Sequence, residues 1–156
     1  MLSLAVSGYS EESVKRQLHS VKGSRVIKFR FDLLNRHDIK IGELTADTSG
    51  IVSLNSLAQI KRTGRFKFKQ NELQDVDWLN DRVQPFFMLR MHDGGWAEWP
   101  LGIFLISSPT KTEERGQIYR VVEAYDQSLI LIEDKFDTRY RIATGTKYIN
   151  AINNIL

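Results

Sequence analysis

FFMLRMHDGGWAEWPLGIFLI, residues 86–106, is the stretch on which the fold turns. Two apolar runs, FFMLRM (86–91) and WAEWPLGIFLI (96–106), flank His92, Asp93, Gly94 and Gly95. Asp-Gly and Gly-Gly pairs supply the positive-φ positions that a tight hairpin turn requires, so the two runs are read as antiparallel strands. Pro100 has no N–H to give a neighbour, which puts the return strand at a sheet edge or on a bulge.

The same period of two extends in both directions. In VIKFRFDLL (26–34), Ile27, Phe29, Phe31 and Leu33 alternate with Val26, Lys28, Arg30 and Asp32, a half-buried strand. A polar turn at 35–38 leads into a returning strand, IKIGELT (39–45), and IVSL (51–54) gives a weaker strand signal. QIYRVVEAY (117–125) is a further strand after what reads as a polar turn, TKTEERG (110–116), and Tyr140 to Ile142 is read as one more. Pro85 is expected to close the loop before the strand at 86–91.

Three segments change to helical spacing. Ser10 is the expected N-cap of a helix with Glu11 and Glu12 in its first turn, Val14, Leu18 and Val21 on its apolar stripe and Gly23 as its stop. The stripe is narrow, which predicts a helix lying on a surface, its own or a neighbour's, rather than in the core. DQSLILIEDK (126–135) is expected to form a short helix capped by Asp126. TGTKYINAINNIL (144–156) is expected to form a last one, capped by Thr146 with Tyr148, Ile149, Ile152, Ile155 and Leu156 on one face. It stops at its most apolar point, which predicts a larger protein with a domain beyond it. The resulting division is a helical arm (1–24), an antiparallel β domain (25–142) and a helix (143–156) that packs on the β domain or begins the next one. The fold class is mainly β (α+β).

A 42% hydrophobic and 26% charged chain of 156 residues is most simply one globular domain. There is no cysteine, which excludes disulfide, thiolate and cysteine-zinc chemistry. No apolar run approaches the roughly 18 residues of a membrane span, so no membrane partner is expected. A net charge of +3 is below the excess of a dedicated DNA-binding domain. The histidines, His19, His37 and His92, have no ligand-spaced partners, and no phosphate loop or nucleophile elbow occurs. The carboxylates Glu133, Asp134 and Asp137 are explained by a solvated helix end. Nothing supports an enzyme, a metal or a cofactor.

The densest charge lies in QIKRTGRFKFKQ (59–70). Strand spacing puts Ile60, Gly64, Phe66 and Phe68 on one face with Arg62, and Lys61, Thr63, Arg65, Lys67 and Lys69 on the other. Lys61, Arg65, Lys67 and Lys69 are candidates for an assembly or channel surface. The acidic block that follows, Glu72, Asp75, Asp77 and Asp81, is the candidate docking partner, in a loop with one short helical turn presenting Trp78 and Leu79. Two alternatives stand beside assembly. Phe66 and Phe68 could stack on bases in a nucleic-acid-binding barrel, or solvent-facing Trp78, Trp96 and Trp99 could form a carbohydrate or receptor platform. The competing explanation is that these rings are core. Trp96 and Trp99, three apart, face opposite ways on a regular strand.

Taken in order, RVIKFRFDLL (25–34), IKIGEL (39–44), IKRTGRF (60–66), DWLNDRVQP (77–85), WPLGIFLISSP (99–109), VVEAYD (121–126) and GTKYINAI (145–152) resemble the N-terminal part of tail or baseplate hub proteins of tailed bacteriophages and prophages, the late-control type. The resemblance implies a β-barrel-like hub domain, normally trimeric, in a ring that joins the tail tube to the tail tip. It implies as partners other copies of the chain, tail-tube proteins and tip or fibre proteins, with DNA in non-specific passage only. It places the protein in the virion tail after synthesis in the bacterial host cytoplasm, and it supplies no catalytic residue. Family hubs are longer, with a second barrel that this sequence lacks.

Overall fold

A computed structural model describes residues 3–20, 25–44, 50–69, 76–133 and 141–153. The chain is mainly β. Eight antiparallel strands form one sheet in the order β2-β1-β5-β7-β8-β4-β3, with β6 added on β5. They are β1 (Ile27–Leu34), β2 (Lys40–Leu44), β3 (Ile51–Leu54), β4 (Arg62–Lys69), β5 (Arg82–Arg90), β6 (Trp96–Pro100), β7 (Phe104–Glu114) and β8 (Gln117–Asp126). The short helices are α1 (Glu11–Leu18), α2 (Ser128–Glu133) and α3 (Tyr148–Asn153).

The core decides the shape. Strand β1 is four neighbours away from β4, about 19 Å in a flat sheet. Yet the Phe31 ring lies 5.4 Å from Phe66 and 5.7 Å from Phe68, both nearly edge-on, and Phe66 meets Phe104 on β7 at 5.9 Å. The sheet therefore curls so that its two halves share one core of Phe31, Leu33, Phe66, Phe68, Val83 and Phe104 with smaller residues of β2 and β8. Its end strands, β2 and β3, are not hydrogen-bonded to each other, so it is not closed into a barrel. Gly64 belongs to this arrangement: a Cβ there would stand 2.6 Å from the Phe66 ring, which folds back over its own strand.

The hairpin signal at 92–95 is realised between β5 and β6, with Gly94 at φ +85 and the Met91 N–H donating to the Gly95 carbonyl at 2.9 Å. The long run 96–106 is not one strand. It breaks at 101–103, and β6 and β7 then share the same side of β5, β6 along 86–90 and β7 at 82–83. Pro85 does not close a loop; it sits buried inside β5, opposite Phe31. Its carbonyl accepts from the Leu101 N–H at 2.9 Å, so its missing donor, on the same side of the strand, falls at the break between β6 and β7 and leaves the β1 ladder intact.

The segment 110–116 is likewise not a turn. Residues 110–114 continue β7, and the reversal is the pair Arg115 and Gly116, both at positive φ, between Glu114 and Gln117. Helix α1 starts as expected, Ser10 accepting the Ser13 N–H, but ends at Leu18 with His19 as C-cap; Val21 and Gly23 lie outside the described residues. Asp126 closes β8 while its carboxylate takes the N–H groups of Ser128, the first residue of α2, and of Arg62 on β4. Thr146 does not cap α3: its hydroxyl donates to the Ala143 carbonyl, and the Lys147 carbonyl accepts the N–H groups of Asn150 and Ala151. Of the strand expected at Tyr140 to Ile142, residues 141 and 142 are not in a strand and Tyr140 lies outside the described residues.

Candidate assembly and binding surfaces

Strand β4 splits its two faces as the alternation predicts. Phe66 and Phe68 are 1% and 0% exposed and belong to the core, so neither ring can stack on a base. The cations face outward over β8, where Arg65 stands opposite Glu123, Lys67 opposite Val121 and Lys69 opposite Tyr119. Lys67 bonds Glu114 at 2.7 Å and lies 4.2 Å over the Tyr119 ring. Lys61, just before the strand, donates to the carbonyls of Ser56 and Ala58 and so pins the β3–β4 turn.

Glu72 and Asp75 lie outside the described residues. Asp77 and Asp81 are taken up by their own turn. The Asp77 carboxylate accepts from the Leu79 N–H and the Asn80 amide, bonds that lower its pKa, the Asn80 bond most. Asp81 is buried and receives the Asp77 N–H at 2.9 Å. Among the described residues Lys67 of β4 forms a salt bridge with Glu114 on β7, distant in sequence and near in space. Trp78 packs on the core and Leu79 is exposed.

The tryptophans of β6 do face opposite ways. Trp99 lies 5.9 Å from Phe87 in a second apolar cluster, and Trp96 carries the Lys28 ammonium 5.0 Å over its ring on the other side. Beside Trp96 runs a charge network absent from the sequence reading. Arg30 bonds Glu98 at 3.0 Å and lies 4.4 Å over Phe86; Lys40 bonds Glu43 at 2.6 Å and buried Asp32 at 3.1 Å. The Lys40 contact holds the Glu43 carboxyl below its ordinary pKa. Cross-strand register creates the cluster: Asp32 stands opposite Glu43 on β2, and Arg30 reaches Glu98 on β6 across β5.

The second cluster belongs to the N-terminal arm. Val14, fully buried, packs with Leu89, Met91 and Ala97 of the β5–β6 hairpin, with Leu4, Val6, Tyr9 and Leu18 around them. Helix α1 thus contributes to a core instead of only lying on a surface. Ser7 and Gly8, both at positive φ, turn the arm back on itself between Val6 and Tyr9. The Ser7 hydroxyl then accepts the Glu98 N–H at 3.3 Å, and the Tyr9 hydroxyl donates to the Asp93 carboxylate at 3.0 Å. The arm covers one margin of the sheet.

Among the described residues nothing covers the other margins. Strands β2 and β3 each pair with one neighbour, β1 and β4, and carry large apolar side chains in solvent: Ile41 is 52% exposed, Ile51 62% and Leu54 73%, with Ile39 and Leu57 beside them. Helices α2 and α3 expose Ile130, Leu131, Ile132, Tyr148, Ile149 and Ile152. Among the described residues no group of His, Asp and Glu could hold a metal, and no helix is long and apolar enough to cross a membrane. No family model, curated protein or solved structure matches the chain.

Proposed function

We propose that this chain is a structural component of a bacteriophage or prophage tail, a tail or baseplate hub protein that joins the tail tube to the tip and contributes to the channel for genome passage. The observation that carries the reading is the pair of bare edges, β2 and β3, at the two ends of a curled antiparallel sheet. Unpaired edge N–H and C=O groups bordered by exposed isoleucine and leucine are a template for pairing with another chain. The apolar faces of α2 and α3 add contact area of the kind that interfaces bury. The ordered likeness of seven segments to hub proteins supplies the particular assembly. In this reading the curled sheet is the barrel-like hub domain, its partners are other copies of itself in a trimer, tube proteins and tip or fibre proteins, and its place is the virion. DNA passes without being read.

Light scattering on a sizing column, over a range of concentrations, tests the reading. The expected result is a trimer or a multiple of it; a monomer at every concentration overturns it.

A further inference from the structure

The outer face of β8 and β4 carries a trough that reaches β3 on one side. Three hollows of about 300, 320 and 220 Å³ adjoin along it, and Arg65 lines all three. Directly opposed residues of an antiparallel pair have Cβ atoms about 5 Å apart, and Arg65 directly opposes Glu123. Yet the two make no ion pair. The Glu123 carboxylate instead accepts the Tyr125 hydroxyl at 3.3 Å, and the Arg65 guanidinium has no hydrogen bond or ion pair with any described residue. The neighbouring cation, Lys67, is neutralised by Glu114. One unengaged guanidinium and one carboxylate with acceptor capacity to spare thus lie side by side.

Hydroxyls surround them. Ser53, Thr63 and Tyr125 line one hollow; Ser108, Thr110 and Thr112 line another. The Thr112 Oγ1 is shielded from solvent and has no hydrogen-bond partner among the described residues. Ser108 stands at φ +46 in the bulge between Ser107 and Thr110, where the β7 register shifts against β8. Bulges re-aim side chains, and a non-glycine residue in this backbone region is a strained one.

We propose that this trough binds a saccharide unit bearing a single carboxylate, of the uronic-acid type. The guanidinium is a planar fork of donors matched to an oxyanion. Glu123 accepts from sugar hydroxyls, and the rim hydroxyls serve as donors or acceptors for the remainder. The same charges argue against other anions. A phosphate or an acidic peptide brings more negative charge against Glu123 than a single carboxylate does, and lacks the hydroxyl donors from which Glu123 would accept. A nucleic-acid strand would also find no exposed ring on β4.

The intact 15N-labelled chain is titrated by NMR with galacturonic acid, and separately with galactose and with inorganic phosphate. Galacturonic acid is expected to give saturable shifts confined to β3, β4, β7 and β8 around Arg65. Arg65→Gln is expected to weaken it at least about tenfold and Glu123→Gln to lower its advantage over phosphate. No saturable shift, an equal response to galactose or phosphate, or undiminished binding by Arg65→Gln overturns the proposal. The unchanged spectrum of distant residues in Arg65→Gln certifies its fold. Its unchanged solution mass separates this site from assembly through the edges.

Discussion

Strands β6 and β2 are both margins of the same sheet, each with a single hydrogen-bonded neighbour, and the molecule treats them in opposite ways. Along β6 the N-terminal arm lays a serine hydroxyl on a free N–H, seals the hairpin tip with Tyr9 and buries Val14 in an apolar cluster of its own. Along β2, and along β3 at the far end, no such cover exists among the described residues, and isoleucines face solvent. An uncovered edge is a liability in a free protein and an asset in a subunit. The difference teaches that the arm closes one margin, while two others have no cover among the described residues.

Both margins hang on the shared core, so the largest disruption comes from there. Phe66→Ala removes a ring in contact with Phe31, Phe68 and Phe104 and is expected to cost about 3–5 kcal/mol, read as a lower midpoint in urea unfolding, with both margins lost together. A smaller change separates them. Val14→Ala thins the arm's cluster alone, at a cost of about 1–2 kcal/mol; fast hydrogen exchange at Glu98 with a retained signature of the Phe31–Phe66 core is the expected outcome.

A change of pH acts on the same clasp. The Gly95 N–H, first, and the Tyr9 hydroxyl hold the Asp93 carboxyl below its ordinary pKa, while the Asp93 bond raises the pKa of Tyr9. A depressed carboxyl stabilises the fold above its unfolded pKa and loses that contribution as pH falls through the folded value. A raised tyrosine contributes below its unfolded pKa and loses that contribution as pH rises through the folded one. Arm docking should therefore be strongest between the carboxylate and tyrosine ranges. Asp93→Asn should flatten the acid limb of a thermal-unfolding profile; an unaltered limb would remove Asp93 from the account. The smallest effect on the folded monomer is expected from Ile41→Lys on the bare β2 edge, within about 0.5 kcal/mol. The same substitution should reduce self-association measured by light scattering, because an edge lysine opposes strand pairing.

Most strands were legible because alternation is a local signal. The β1–β2 and β5–β6 hairpins and the two faces of β4 follow from residues read in sequence. What failed depended on partners. Pro85 looks like a stop until the break at 101–103 is seen to take up its missing donor. Residues 110–114 look like a turn because an exposed, polar hairpin arm needs no apolar alternation; the Arg115-Gly116 pair was the available signal. Val14 looked peripheral because the surface it fills is supplied by a hairpin more than seventy positions on. At the candidate surface the outward cations were legible, but Glu114 as the partner of Lys67, the unengaged Arg65 and the buried Asp32 network all depend on register between strands distant in sequence.

Hydrogen exchange by NMR at dilute and at concentrated protein tests the central contrast most directly. The predicted result is slow exchange at Glu98 at both concentrations, with outward amides of β2 and β3 exchanging fast in dilute solution and slowly when concentrated. Edge amides that exchange equally fast at both concentrations would contradict it.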